Sequence, residues 1–363
     1  MRNLILNLWP NDAAPGQVAG LRDVLVGALG EECRVINGTT IPTDARKAAE
    51  HLKAAIRDDD PEFVYVLATP IALVDDDEQF RSLAAYLTGR TVVYWEGDAW
   101  GRGKPMTPAM RRWLLRADHV FHTGGIPGIE DCTSSSTALH FAPNGYCHIR
   151  FAREETEPPD STPGARVAMI GNNVTRSRVP IPGLTGIPGG LPRWRLARRA
   201  AKALGPSGFV LAGRDWPTAW SSGSVPFEEQ AAVMRSARVS INWDHFASYP
   251  GYSSDRLPIA LVAGRPHITT RHPRMDWCPG EDRGLFLEDS PAAVLTRALS
   301  VNADPHRSHE LGVAAWEWAR HRISTRELMR FLLSRVRPDV PAPAGEPWST
   351  LPGPSRGVRP PVL

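Results

Sequence analysis

The sequence predicts an α/β fold of two Rossmann-like domains, each a parallel sheet with helices on both faces. Three observations predict it. Apolar strands alternate with amphipathic helices in two successive runs, and an acidic, proline-rich stretch separates them. The chain has 363 residues, too many for one ordinary core and enough for two of roughly 150 each.

The first run opens with a strand at Leu4–Trp9 and a helix over Gly16–Leu29, whose Val18, Leu21, Val24 and Leu25 share one side. A short strand at Arg34–Ile36, a helix over Asp44–Arg57 and the apolar strand Phe63–Leu67 follow. Asp77–Leu87 reads as a helix and Thr91–Trp95 as a strand. Thr107 and Pro108 are an N-cap and a first helical residue, starting a helix that reaches Arg116. Strands at Val120–His122 and Ala138–Ala142 complete a first domain over residues 1–152. Glu154–Gly164 is acidic, rich in proline and without period, the composition of a linker.

The second run, over residues 165–304, starts with strand Val167–Ile170, helix Trp194–Leu204 and strand Phe209–Ala212. Helix Phe227–Ser236 and strand Val239–Trp243 come next. A short helix then opens at Ser254-Asp255-Arg256 and ends at Gly264, and Pro266 leads into strand His267–Thr270. Leu285–Leu287 is a strand, and Ser290 caps a helix over Pro291–Leu299. Residues 305–336 read as helices with a break at Ser324-Thr325, free to cross back to the first domain. Arg337–Leu363 carries proline throughout and reads as an extended or unstructured tail.

With 42% apolar and 22% charged residues, the composition is that of a soluble globular protein. No apolar run reaches the roughly 18 residues of a spanning helix, and the N-terminus leads into a strand with no signal peptide. A cytoplasmic location is expected. Cys33, Cys132, Cys147 and Cys278 form no CxxC pair and read as reduced thiols, with no metal centre. The net charge of +3 permits an acidic partner such as nucleic acid without requiring one.

Ligands of parallel sheets bind beyond the carboxyl ends of the strands, and that rule sorts the polar residues. Glu96 and Asp98 follow the strand Thr91–Trp95, where either could take a proton from an acceptor hydroxyl or simply cap a solvated turn with residues 101–104. After Val167–Ile170 stand Gly171, Asn172, Arg176 and Arg178. The glycine admits a phosphate to backbone N–H groups, and the arginines can bind its oxygens. Arg214, Asp215 and Trp216 follow the next strand, with Trp216 either a ligand platform or a plug at the core edge. Asp244 and His245 follow Val239–Trp243, the histidine reading as a surface or hydrogen-bonded residue. The run Asp75–Glu78 suits a helix N-terminus better than a metal. Arg193–Arg199 is the most basic segment, either a contact for an anionic acceptor such as DNA or a solvated helix face. The helix at Ser254 would turn its free N–H groups and positive dipole end toward a phosphate.

Together these places resemble the GT-B glycosyltransferases, and most the spore-maturation-protein-like branch of GT4 type (glycosyltransferase family 1). The resemblance rests on Trp95 with Asp98, Gly213-Arg214-Asp215-Trp216, Arg238–Asn242 and Ser254-Asp255-Arg256 ahead of Gly264, with His140–Gly145 in addition. It covers about residues 60 to 300. It implies two domains facing each other across a cleft, and transfer of a sugar from a nucleotide-sugar donor without metal or other cofactor. It places Gly171, Asn172, Arg176, Arg214, Asp244, Ser254, Asp255 and Arg256 on the donor and Asp98 or Glu96 in catalysis, the helix start neutralising the leaving diphosphate. One departure stands out: Ile259 occupies the position where many relatives carry a glutamate that binds the donor ribose, leaving Asp255 or Asp244 for that task. The glycine-rich loop of the wider fold is also missing at Pro10–Gly16. The acceptor stays open between a small molecule, a protein, a glycan and a modified DNA base. A sugar-nucleotide epimerase on the same scaffold, or a non-catalytic nucleotide-sugar or polymer-binding protein, are the alternatives.

Overall fold

The computed structural model describes residues 1–8, 15–67, 76–100, 105–124, 129–160, 164–175 and 187–351. Arg176, Arg178, residues 101–104, Asp75 and residues 10–14, all singled out above, lie outside them. The chain divides into two compact units, one running from Met1 to Pro143 and resuming at Thr325, the other from Asn144 to Ser324.

The first unit holds six parallel strands: β1 (Arg2–Asn7), β2 (Glu32–Asn37), β3 (Phe63–Leu67), β4 (Thr91–Glu96), β5 (His119–His122) and β6 (Ala138–Phe141). Their order is β2-β1-β3-β4-β5-β6. Consecutive residues such as Leu4 and Ile5 are both fully buried, as strands covered on two faces must be. Helices α1 (Pro15–Arg22), α2 (Ala45–Asp59), α3 (Asp77–Tyr86) and α4 (Pro108–Arg116) connect them. Three are capped, by Thr107 as the sequence suggests and also by Asp44 and Asp76. Leu52, Ile56, Leu83 and Trp113 of these helices pack on Leu4, Leu6, Val64, Val66, Val92 and Tyr94. The helix expected over Gly16–Leu29 is not uniform. After Arg22 it becomes a π-helix over Asp23–Ala28, where the Leu29 N–H reaches five residues back to Val24 O at 3.0 Å.

The second unit carries β7 (Gly164–Ile170), β8 (Phe209–Ala212), β9 (Ala237–Ile241), β10 (His267–Thr270) and β11 (Leu285–Glu288), parallel and ordered β11-β10-β9-β7-β8. Its helices are α5 (Ala152–Thr156), α6 (Gly190–Gly208, broken at Gly205), α7 (Gln230–Arg235), α8 (Arg256–Val262), α9 (Pro291–Ala303) and α10 (Pro305–Arg322). Two expectations are corrected here. The linker is not without structure: Ala152–Thr156 is helical, and Arg235 donates to the carbonyls of Glu154 (3.2 Å) and Glu157 (3.0 Å), tying it down. Strand β9 ends at Ile241 rather than Trp243, so Asn242 already lies beyond the carboxyl edge.

The helical C-terminus breaks where expected, α10 staying with the second unit and α11 (Thr325–Val336) with the first. Helix α11 packs on α1, and a Cβ at Gly20 would lie 2.9 Å from Thr325 O, so only glycine permits that approach. The tail is corrected as well. Arg337, Val340, Trp348 and Leu351 are buried, and Trp348 packs against Phe331 at 5.2 Å between rings. Among the described residues no helix is long and apolar enough to cross a membrane.

Candidate active site

In the second unit the carboxyl ends of β7 and β8 meet where side chains do not fit. The Gly171 N–H donates to Ala212 O at 2.9 Å, and a Cβ on Gly213 would overlap the Gly171 carbonyl. Asn172 Oδ1 accepts the Arg214 N–H at 3.0 Å, and buried Asn173 donates to Asp215 O at 2.9 Å. The Arg214 side chain itself is exposed. Trp216 donates its indole N–H to Gly171 O at 2.6 Å and packs in the core, so it is a plug and not a ligand platform.

Two guanidinium groups converge on Gly171, whose φ is 153°. A Cβ there would stand 3.1 Å from Arg256 Nε and 3.5 Å from Arg193 Nη1. Arg193, expected only as part of a basic surface run, is 1% exposed. Its Nε donates to Trp243 O at 2.7 Å and its Nη1 meets His245 Nε2 at 2.5 Å. Among the described residues no carboxylate lies within ion-pair distance of it. Burial, and next the charge of Arg256, bring its pKa down to about 9. Arg256 Nε is buried and makes no hydrogen bond. Arg195, Arg198 and Arg199 remain on the solvated face of the same helix.

Beneath this pair lies a polar network. Asp244, 2% exposed, accepts from Asn242 Nδ2 at 2.7 Å and lies 3.1 Å from His272 Nε2. Burial alone would raise its carboxyl pKa; the hydrogen bond and charge of His272 outweigh that and hold it low. Asn242 also reaches Ser254 Oγ at 3.3 Å. Asp255 stays partly open and pairs with Arg256 at 3.4 Å. Helix α8 is only seven residues long. Pro258 has no N–H, and the N–H groups of Leu257 and Ile259 are spent on Ser254 O and Asp255 O. The positive charge offered at this helix start therefore comes from guanidinium groups more than from the backbone. Ile259 is fully enclosed in the core.

In the first unit Glu96 ends β4, 5% exposed, accepting from the Tyr94 hydroxyl at 2.9 Å and the Asp98 N–H at 3.0 Å. Burial, then the charge of Asp98, push its pKa up to about 7. Asp98 is exposed, its Oδ1 accepting from Ala99 N at 3.1 Å. The two carboxyls thus differ: one is solvated, the other is poised to exchange a proton near neutrality.

Sequence reasoning missed the roles of Arg193 and His272. A signal for Arg193 was present, since it heads the apolar stripe Leu196, Ala197 and Ala200 at helical spacing. Nothing local marks His272; only the adjacency of β9 and β10 brings it to Asp244. Among the described residues no three His, Cys, Asp or Glu are placed to hold a metal ion.

Residues 193–334, which include Arg193, Asp244, Arg256 and His272, match a family model described as glycosyl transferase-like. By fold the chain is similar to Anabaena HepE solved with UDP-glucose, at TM-score 0.58 and 10% identity over 93% of this chain and 99% of that one. The chain has the GT-B fold, with a glycosyl transferase-like match over residues 193–334. The chain is also similar to sucrose-phosphate synthase from Thermosynechococcus elongatus (TM-score 0.59, 13% identity, covering 93% and 98%). A further likeness is to S. aureus MnaA solved with UDP (TM-score 0.53, 10% identity, 95% and 99%). Comparison with curated protein sequences finds no match.

Proposed function

We propose that the second unit holds the diphosphate of a nucleotide sugar between Arg193, Arg256 and the Gly171 backbone, and that the sugar passes to an acceptor hydroxyl without a divalent cation. The observation that carries this is the buried Arg193 guanidinium, which among the described residues has no carboxylate within ion-pair distance. Such a charge is costly until an anion arrives, so the site favours a ligand with a concentrated negative charge. As the bond to the sugar breaks, charge builds on the leaving diphosphate, and two fixed guanidinium groups stabilise it there. Asp255, whose side chain is 41% exposed, is the carboxylate available to the donor ribose, since both oxygens of Asp244 are engaged. Asn172, Arg214 and Ser254 shape the loops around this pair, and Arg176 belongs to the same connection after β7.

Glu96 or Asp98 takes the acceptor proton, and Glu96 suits that role through its raised pKa. The base must be ionised, so turnover rises with pH through about 7. The Glu96→Gln variant is expected to lose about a hundredfold or more in kcat with donor KM unchanged. An equally active variant with the same pH profile removes Glu96 from the mechanism. The acceptor is a small molecule, a protein, a glycan or a modified DNA base. Free thiols at all four cysteines suit a reducing cytoplasm.

A panel of UDP-, GDP-, ADP- and dTDP-sugars, incubated with the full chain and EDTA, tests the reading. Release of nucleoside diphosphate with transfer or hydrolysis of the sugar supports it. Activity only in the absence of EDTA removes the metal-independent step, and an epimerised sugar on an intact nucleotide selects the epimerase alternative.

A further inference from the structure

We propose that His245 is a positioning residue for Arg193, and that its protonation switches donor binding off. The inference rests on the donor-site reading above. Arg193 is held on one side only: its Nε donates to the Trp243 carbonyl, its Nη1 to His245 Nε2 and, at 3.5 Å, its Nη2 to Asn242 Oδ1, all acceptors on the chain that follows β9. A ring nitrogen that accepts an N–H must keep its lone pair, so this contact requires a neutral imidazole with its proton on Nδ1.

The histidine backbone is pinned. The Gly189 N–H donates to His245 O at 2.7 Å, and any Cβ at Gly189 would overlap the Asp244 carbonyl, so the start of α6 and the segment after β9 stay in contact. The ring also stands edge-on to Phe246, at 6.4 Å between centroids. When the imidazole gains a proton, the acceptor becomes a donor and two cations stand in contact. Arg193 must then leave the position in which it faces Gly171.

Among the described residues, the charged and titratable groups around the pair do not reverse this, although the charges of Asp244 and Asp255 act on Arg193. Arg256 of α8 adds a further positive charge, and Asp255 pairs with Arg256. Asp244 is occupied by His272 and Asn242. Tyr252 packs edge-on against His272, and His267 of β10 is bonded to Ser240. Donor affinity is therefore full above the His245 titration and lost as pH falls through it.

The test is calorimetric titration of the full chain with UDP-glucose from pH 5.5 to 8, a range in which its diphosphate diester does not titrate. In the unmodified chain, affinity is expected to fall about tenfold toward the acid end. His245→Gln keeps a neutral acceptor at every pH and is expected to bind with a flat profile. A flat profile in the unmodified chain, or a parallel acid loss in His245→Gln, overturns the proposal. A second measurement decides it even if UDP-glucose does not bind, an outcome that would count against the donor reading instead. Nitrogen-15 NMR of the imidazole should show His245 taking up its proton at lower pH in the unmodified chain than in Arg193→Met. An unchanged midpoint overturns the contact.

Discussion

Arg193 and Arg337 are buried to nearly the same depth, at 1% and 2% exposure, in two different units, and their surroundings treat the charge in opposite ways. Arg337 grips Glu31 through two bonds of 2.6 and 2.7 Å, reaches Asp339 at 2.6 Å, and lies over the Phe63 ring at 5.3 Å. Its pKa is raised, the Glu31 hydrogen bond outweighing burial. Arg193 has carbonyl, imidazole and amide acceptors but, among the described residues, no carboxylate within ion-pair distance, and its pKa falls. A buried charge clasped by carboxylates fastens the fold; one held only by neutral acceptors leaves room for the anion proposed above.

Breaking the clasp should give the largest change. Glu31→Gln leaves Arg337 short of its main partner and is expected to cost about 3 kcal/mol of the first unit's stability by urea denaturation, with UDP-glucose binding unchanged. Burial would raise the Glu31 pKa, but the Arg337 and Asn3 hydrogen bonds lower it overall. The clasp's contribution is therefore present above the ordinary glutamate range and lost as pH falls through the lowered value. A donor-binding defect in this variant would blur the contrast.

Arg193→Met comes next. UDP-glucose affinity should drop about a hundredfold, while thermal stability holds or rises because an unpaired buried charge is gone. A destabilised variant with normal affinity would make Arg193 a structural residue like Arg337. Arg256→Ala should cost about tenfold in calorimetric affinity, less than Arg193 because its guanidinium is partly solvated and shared with Asp255. At the bottom of the scale stands Arg198→Ala, on the exposed face of the same helix, where affinity should stay within about twofold. A larger loss there would point to anion contacts spread along α6.

Much of the molecule could be read from local pattern. The strand Phe63–Leu67, the Thr107-capped helix and the break at Ser324-Thr325 all lie where periodicity and capping residues put them. The exceptions depended on distant contacts. The π-helix adjoins the segment of α1 pressed against α11, and the tail's few apolar residues find a core that no window of the tail reveals. Glu96 was visible as a polar residue after a strand, but its near-neutral pKa comes from enclosure and from Asp98.

By itself, the sequence determined the alternation of strands and helices and the loops at the strand ends, because hydrophobic period and capping are local properties. Only the tertiary structure decided which of several arginines became buried without a carboxylate within ion-pair distance among the described residues. Burial and compensation depend on what surrounds a side chain in space. Among the described residues Arg193 is enclosed by the chain after β9 and the glycine loops without a carboxylate in ion-pair distance, Arg337 is enclosed with two, and Arg195, two residues from Arg193 on the same helix, remains in water.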